Sequence, residues 1–246
     1  MNTLTESVLT ALELLRQLDP TLLAIVQRSL TVSASACLIA CVLGIMLGSL
    51  LAVVRFPGRG VAMTLLNTSL SLPSVVVGLV IYLLLSRSGP FGGLGWLFTA
   101  KAMIIAQTVL ILPLVIALTR QVVEDVEQRH GEQLASMGAN SLTRSLLLAW
   151  DERFALLTII ITAFGRAVSE VGAVMIVGGN IEGYTRVMTT AIALETSKGD
   201  LPLAVGLGIV LLTVVLLLNA LVSILRRWRE RADHYRLEPQ TVGGQA

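Results

Sequence analysis

The sequence predicts an all-α integral membrane protein with about five transmembrane helices. Three observations carry that reading. Hydrophobic residues make up 54% of the 246 residues and charged residues only 14%, against roughly 25% charged in a soluble domain. The apolar runs are long, and they lack the period-two alternation of a membrane barrel. A single charged interior stretch, 120–153, interrupts them and holds ten of the charged residues. A span needs about 20 residues, so this length accommodates about five spans and their loops. The net charge of +2 gives no reason to expect a nucleic-acid partner.

Residues 1–21 are polar and mildly amphipathic, with Leu4, Val8, Leu12 and Leu15 near helical spacing. This spacing predicts a short helix on the membrane surface. Glu6, Glu13, Arg16 and Asp19 leave no basic start followed by an apolar core, so no cleavable signal is expected. Asp19-Pro20 marks a break. The first span is placed at about 22–54, and 29–54 carries no charge. Its Gly44 and Gly48 form a close-packing GxxxG pattern, expected to serve this fold rather than dimerisation. Cys37 and Cys41 share one helix face and read as small packing residues, since no neighbouring ligand completes a metal site.

A basic turn with Arg55 and Arg59 leads to the second span, 61–86. This span contains Asn67, Thr68, Ser69, Ser71 and Ser74, with Pro73 inside it. Proline frees a backbone carbonyl that must face protein or water. Two readings stay open: a polar, interrupted half with Ser71 and Pro73 lining a pathway, or a kinked helix whose hydroxyls bond to their own carbonyls. Residues 87–101 are Gly-rich and predict a structured loop or a shallow re-entry. The third span is placed at 102–122, with Pro113 inside. Stretch 123–153 reads as a loop holding two short helices. The first runs from His130 to Met137 and breaks at Gly138-Ala139-Asn140; Ser141 caps the second through Trp150. The fourth span, 154–177, is the least apolar. A mixed loop covers 178–200, the fifth span 201–225, and a basic tail 227–246. The transmembrane domain is thus 22–226.

Orientation follows from Lys and Arg. Eleven lie on the side of the 55–59 turn, the 120–153 loop and the tail; six lie on the other, and Arg166 lies within a span. The N-terminus is therefore expected outside and the charged loop and C-terminus in the cytoplasm. A charge at the bilayer centre costs roughly 2.5–3.5 kcal/mol on insertion scales. Arg166 and Glu170, four apart on one helix face, with Ser169 between them, are thus candidates for a pathway or gate pair; a salt bridge pinning two helices is the alternative. The sequence has no phosphate-binding Gly-x-x-x-x-Gly-Lys-Ser/Thr loop, no His-Glu-x-x-His and no relay of Asp, Glu or His, so no catalysis by this chain is expected.

Glu132 followed six positions later by Gly138, in a loop before the second-last span, resembles the loop of ATP-binding cassette importer permeases. Gln133 and Leu134 stand where that family carries two alanines. The resemblance implies that Glu132, Ala135 and Gly138 couple to an ATPase. The segment Gly165-Arg166-Ala167-Val168-Ser169-Glu170-Val171-Gly172-Ala173 resembles permeases for molybdate, tungstate and sulfate. Val177-Gly178-Gly179-Asn180-Ile181, Tyr184-Thr185-Arg186, Thr189-Thr190-Ala191-Ile192, Leu194-Glu195-Thr196-Ser197-Lys198-Gly199, and Leu72-Pro73-Ser74 with Val75 to Gly78 are similar to the tungstate-type branch. Together the likeness covers 22–226. It implies an importer-type permease fold with a coupling-helix loop, in the plasma membrane of a bacterium or archaeon. It also implies a second copy of the chain, a cytosolic ATPase dimer and an extracytoplasmic oxyanion-binding protein. ATP would be hydrolysed by those partners, with no cofactor on this chain. The implied cargo is tungstate, with molybdate or sulfate as alternatives. A secondary transporter, which would call for an inverted repeat and an ion-coupling cluster, and a non-transporting scaffold are the readings from other classes.

Overall fold

The computed structural model describes residues 9, 13, 16 and 19–237, with side chains through 224. Nine α-helices and one 3₁₀ turn make up the described residues: α1 Pro20–Val53, α2 Arg59–Leu70, α3 Ser74–Leu85, the turn Gly92–Leu94, α4 Ala100–Ser136, α5 Ser141–Asp151, α6 Arg153–Val168, α7 Gly172–Gly178, α8 Met188–Lys198 and α9 Leu201–Leu237. Three helices are long and apolar enough to cross a membrane, and two bent pairs bring the total to as many as five. The surface helix expected over 1–21 lies largely outside the described residues.

Helix α1 begins where Asp19 and Pro20 dictate. Asp19 Oδ1 accepts from the N–H groups of Thr21 and Leu22, both at 2.9 Å, and Pro20 sits where a missing N–H costs nothing. The helix is 34 residues long, about 51 Å at 1.5 Å per residue. It packs most extensively against α4, and the two glycines explain how. A Cβ on Gly44 would lie 2.7 Å from Val115 Cγ1, and one on Gly48 would lie 2.7 Å from the Ile116 carbonyl oxygen. Backbone approaches backbone there, so the GxxxG pair serves packing inside the chain, as expected. Half of the apolar window of α1 is buried but only 17% of that of α9. Helix α1 is thus the axis, and α9 lies at the periphery.

Three expected boundaries are corrected. The second span is not one kinked helix: α2 and α3 meet at 102°. Pro73 has no N–H and disfavours a helical residue before it, so the chain leaves helix at Ser71 and restarts with Pro73 as the cap of α3. The fourth span is likewise α6 and α7, bent by 57° at 169–171. The third span does not stop near 122. Helix α4 runs on to Ser136 as 37 residues, because Val123, Val126 and Gly131 keep a buried face at helical spacing. The separate helix expected from His130 is therefore the end of α4. Asn140, not Ser141, caps α5, accepting from the Thr143 N–H at 2.8 Å. Pro113 lies inside α4 without ending it. The mixed loop 178–200 contains α8, and the expected tail continues α9 to Leu237; 238–246 lie outside the described residues.

The core has three parts. One joins α1, α4, α5 and α6 around Cys37, Val115, Leu148 and Ile159. A second joins α1, α3, α4 and α7 around Val32, Ile81, Met103 and Val174. A third seats α8 and α9 on the start of α1 through Leu22, Met188 and Leu207.

Candidate functional site

The two helix breaks meet. A Cβ on Gly172, at the start of α7, would lie 2.7 Å from Ser74 Oγ and 2.9 Å from Val75 Cγ2, at the start of α3. One on Gly78 would lie 2.7 Å from Ala173 Cα. Only glycine lets these helices touch at this depth. Glu170 sits at the junction with its side chain 5% exposed. Arg166 Nη1 donates to its Oε2 at 2.7 Å and the Ala173 N–H to its Oε1 at 3.4 Å. The carboxylate offers the backbone a local alternative to helix continuation, which accounts for a break without proline. Arg166 is 50% exposed. The carboxylate is the fixed half of the pair and the guanidinium the accessible half.

A buried polar network holds this junction. Gln107 Nε2, from α4, donates to the Ala167 carbonyl at 3.0 Å and lies 3.4 Å from Ser33 Oγ of α1. Thr189 Oγ1, from α8, donates to the Glu170 carbonyl at 2.8 Å. Ser169 turns its hydroxyl back to the Gly165 carbonyl at 2.8 Å. Ser71 and Pro73 shape the bend and stay exposed; the next residue, Ser74, is the one set against Gly172 at the junction. Thr68 and Ser69 donate to the carbonyls four residues back, as does Thr64. Sequence reading missed Gln107, Ser33 and Thr189. Gln107 carried a signal, being the one amide in the apolar part of α4.

The second candidate region lies at the end of α4. Gly138 has φ +83; its N–H bonds to the Ala135 carbonyl at 3.0 Å, and the Ala139 N–H bonds to the Leu134 carbonyl at 3.1 Å. These two bonds are the Schellman pattern, which closes a helix through a left-handed residue. Glu132 and Ala135 line a polar groove of about 570 Å³. Ion pairs fix its walls: Arg59 at the start of α2 holds Glu124 at 2.8 Å, Arg120 also pairs with Glu124, and Arg144 of α5 pairs with Glu127. Beyond the turn, Met137, Leu142, Leu146 and Trp150 stand exposed, Met137 at 81% and Trp150 at 72%.

The third region is the loop from Gly179 to Val187. Gly179, Asn180 and Gly183 are left-handed, and Thr185 Oγ1 donates to the Gly178 carbonyl at 2.6 Å while accepting from the Ile181 N–H at 2.9 Å. Arg186 is buried between Glu195, at 3.5 Å, and Glu182, at 3.6 Å. Among the described residues no cluster of three or more His, Cys, Asp and Glu is arranged to hold a metal ion.

Comparison with known proteins gives one consistent result. Residues 44–232 match the family described as binding-protein-dependent transport system inner membrane component. The chain is 40% identical over 230 residues to the tungstate uptake system permease protein TupB of Peptoclostridium acidaminophilum, covering 92% of this chain and 99% of that one. TupB of Campylobacter jejuni is 44% identical over 163 residues, 66% of this chain and 68% of its own length. A probable anion ABC transporter permease protein of Haloferax volcanii is 40% identical over 215 residues, covering 85% and 91%.

Proposed function

Because the chain belongs to the family of binding-protein-dependent transport system inner membrane components, it is a multi-pass, all-helical permease subunit of an ATP-driven importer, and we propose that its cargo is tungstate. The observation that carries the cargo is the likeness to two tungstate uptake permeases. The Arg166–Glu170 junction supports an anionic path. A half-exposed guanidinium, anchored by a buried carboxylate where two broken spans touch, presents positive charge without carrying a net charge into the span.

In this reading two copies of the chain form the path, and Arg166, Ser169, Glu170, Ser71 and Pro73 lie along it. The N-terminus is outside and the Gly138 turn is cytoplasmic, as the Lys and Arg distribution supports. Glu132, Ala135 and Gly138 face the ATPase dimer, and the exposed apolar stripe of Met137, Leu142, Leu146 and Trp150 suits a protein partner of that kind. ATP-driven closure shifts the end of α4 together with α5. Glu124 passes that shift to α2 through Arg59, and α2 ends at the bend whose far side packs on α7 where Ser74 and Val75 meet Gly172. An extracytoplasmic oxyanion-binding protein delivers the substrate from the other side. All ATP hydrolysis belongs to the partner subunits.

The test is tungstate uptake in cells lacking the permease and complemented with wild-type or Arg166→Ala protein, with molybdate and sulfate as competitors. Wild type is expected to restore uptake that tungstate itself outcompetes best, and Arg166→Ala to lower it at least tenfold. Restored uptake that sulfate or molybdate displaces more strongly than tungstate overturns the cargo. Uptake that persists without any ATPase subunit overturns the importer mechanism.

A further inference from the structure

The loop after α7 and the start of α1 enclose a groove of about 300 Å³, lined by Pro20, Ala24, Ile25, Arg28, Glu182 and Arg186. Two arginines face it with unequal compensation. Arg28 Nη2 donates to the Gly183 carbonyl at 2.7 Å and Nη1 to the Arg186 carbonyl at 3.4 Å, and no carboxylate among the described residues pairs with it. Arg186, with a side chain 9% exposed, shares Glu195 with Lys198, which lies 3.2 Å from that carboxylate. Its Nε is buried with no partner. Its other contact is Glu182, whose carboxylate is 75% exposed and stands 3.6 Å away, beyond a good hydrogen bond. The groove lining thus holds two arginines and one carboxylate, Glu182, which is loosely held at the rim.

We propose that this groove is a socket for an acidic side chain of the extracytoplasmic binding protein, with Glu182 as the intramolecular carboxylate that it displaces. The inference rests on the reading above, which puts this end of the chain outside and a binding protein against it. The loop does not need the Glu182 contact to hold its shape: Thr185, the left-handed Gly179, Asn180 and Gly183, and the Arg28 bonds to two carbonyls already fix it. The chemistry favours a protein carboxylate over a free oxyanion. The α1 wall of Pro20, Ala24 and Ile25 suits the methylenes of an Asp or Glu side chain, whereas a hydrated dianion would meet apolar surface there.

The experiment uses the complete permease–ATPase complex in nanodiscs, titrated with the tungstate-loaded binding protein of the same system, and reads the concentration giving half-maximal ATPase stimulation. Arg28→Gln keeps a donor for the Gly183 carbonyl but removes the charge, and it is expected to raise that concentration about tenfold, the scale of one lost interfacial charge contact. Glu182→Gln is expected to lower it several-fold, because the competitor is gone. Both differences should shrink as salt is raised. Opposite signs set the socket apart from a loosened loop, in which both variants would weaken the partner. Half-saturation within twofold of wild type in both variants, or shifts of the same sign, overturns the proposal. Stimulation by free tungstate that both variants alter would make the groove an oxyanion site and also overturn it. A wild-type complex that the loaded binding protein fails to stimulate sinks the socket and the reading beneath it together; normal wild-type stimulation with unmoved variants sinks the socket alone.

Discussion

Gly138 separates backbone geometry from side-chain contact cleanly. Its φ is +83, and a Cβ built there would meet nothing within 4 Å. Any cost of replacing it is therefore conformational. An L-residue held in the left-handed region loses about 1–2 kcal/mol relative to glycine. Asparagine visits that region more readily than alanine, and a β-branched residue is a true outlier in it. The two Schellman bonds, from Gly138 to Ala135 and from Ala139 to Leu134, depend on this conformation. Losing about 1.4 kcal/mol lowers the population of the closed turn about tenfold relative to its opened form.

The expected order of turn stability is Gly, then Asn, then Ala, then Val at position 138. The assay is binding-protein-stimulated ATPase activity of the assembled complex in nanodiscs, with thermal unfolding measured alongside. Gly138→Ala should cut stimulation severalfold, Gly138→Asn should come close to wild type, and Gly138→Val should be worst. Gly131→Ala is the contrast. A Cβ there meets the Glu127 carboxylate at 2.6 Å, the same carboxylate that Arg144 holds, so its damage runs through an ion pair and not through φ. Equal activity of the Asn and Val variants would refute the left-handed turn argument. Full stimulation in Gly138→Ala and Gly138→Asp, with normal assembly, would refute a role for the turn in coupling.

Three further outcomes are expected. Gly48→Ala puts a methyl 2.7 Å from the Ile116 carbonyl oxygen and should cost about 1–3 kcal/mol by overpacking, seen as a lower Tm; Gly60→Ala, where nothing lies within 4 Å, should leave Tm unchanged or raised. Arg166→Ala should lower Tm more than Glu170→Gln, because it leaves a carboxylate that is 5% exposed without its cation, whereas the glutamine leaves an arginine already half in solvent; the reverse order would show that the pair is anchored at the arginine. Arg59→Ala should cost under about 1 kcal/mol, since the pair is partly exposed and Arg120 keeps Glu124, while Glu124→Ala abandons Arg59 and Arg120 together; urea or thermal unfolding of both variants should show the larger loss in Glu124→Ala.

The spans were legible where apolar length alone decides. Helices α1, α4 and α9 follow from uninterrupted hydropathy, and the Gly44/Gly48 contact follows from small residues at a four-residue spacing. Hydropathy hid the second half of α4. Its charges, Glu124, Asp125, Glu127 and Arg129, look like a loop, yet Val123, Val126 and Gly131 keep a buried helical face. Pro73 announced an interruption, but its 102° bend depends on Gly78 and Gly172 letting α3 and α7 touch, and those partners lie about a hundred positions apart. The break at 169–171 had no proline to announce it. It arises because Glu170 bonds to the Ala173 N–H and to groups from other helices, and tertiary partners of that sort leave no local pattern. Ser71 and Pro73 lie in the bend itself, and the next residue, Ser74, is the one set against Gly172 at the start of α7.

The exposed side of this junction carries the functional argument furthest. Helix α2 buries none of its residues, the bend at 71–73 is open, and Arg166 offers half of its side chain to the surroundings. If the two bent pairs are spans, as proposed above, those groups would face hydrocarbon in a lone chain, which unsatisfied backbone and charge do not tolerate. Helix α9 differs: its exposed residues Leu212, Leu216, Leu217 and Leu221 are at home in lipid. The polar opening at the two breaks and the apolar outer helix therefore require different neighbours. In the proposed reading, water in a central path and the matching face of a second copy satisfy the first, and the bilayer satisfies the second. The same asymmetry explains why Glu170 is buried and Arg166 is not. The carboxylate holds the junction together from within, and the guanidinium is left on its open side.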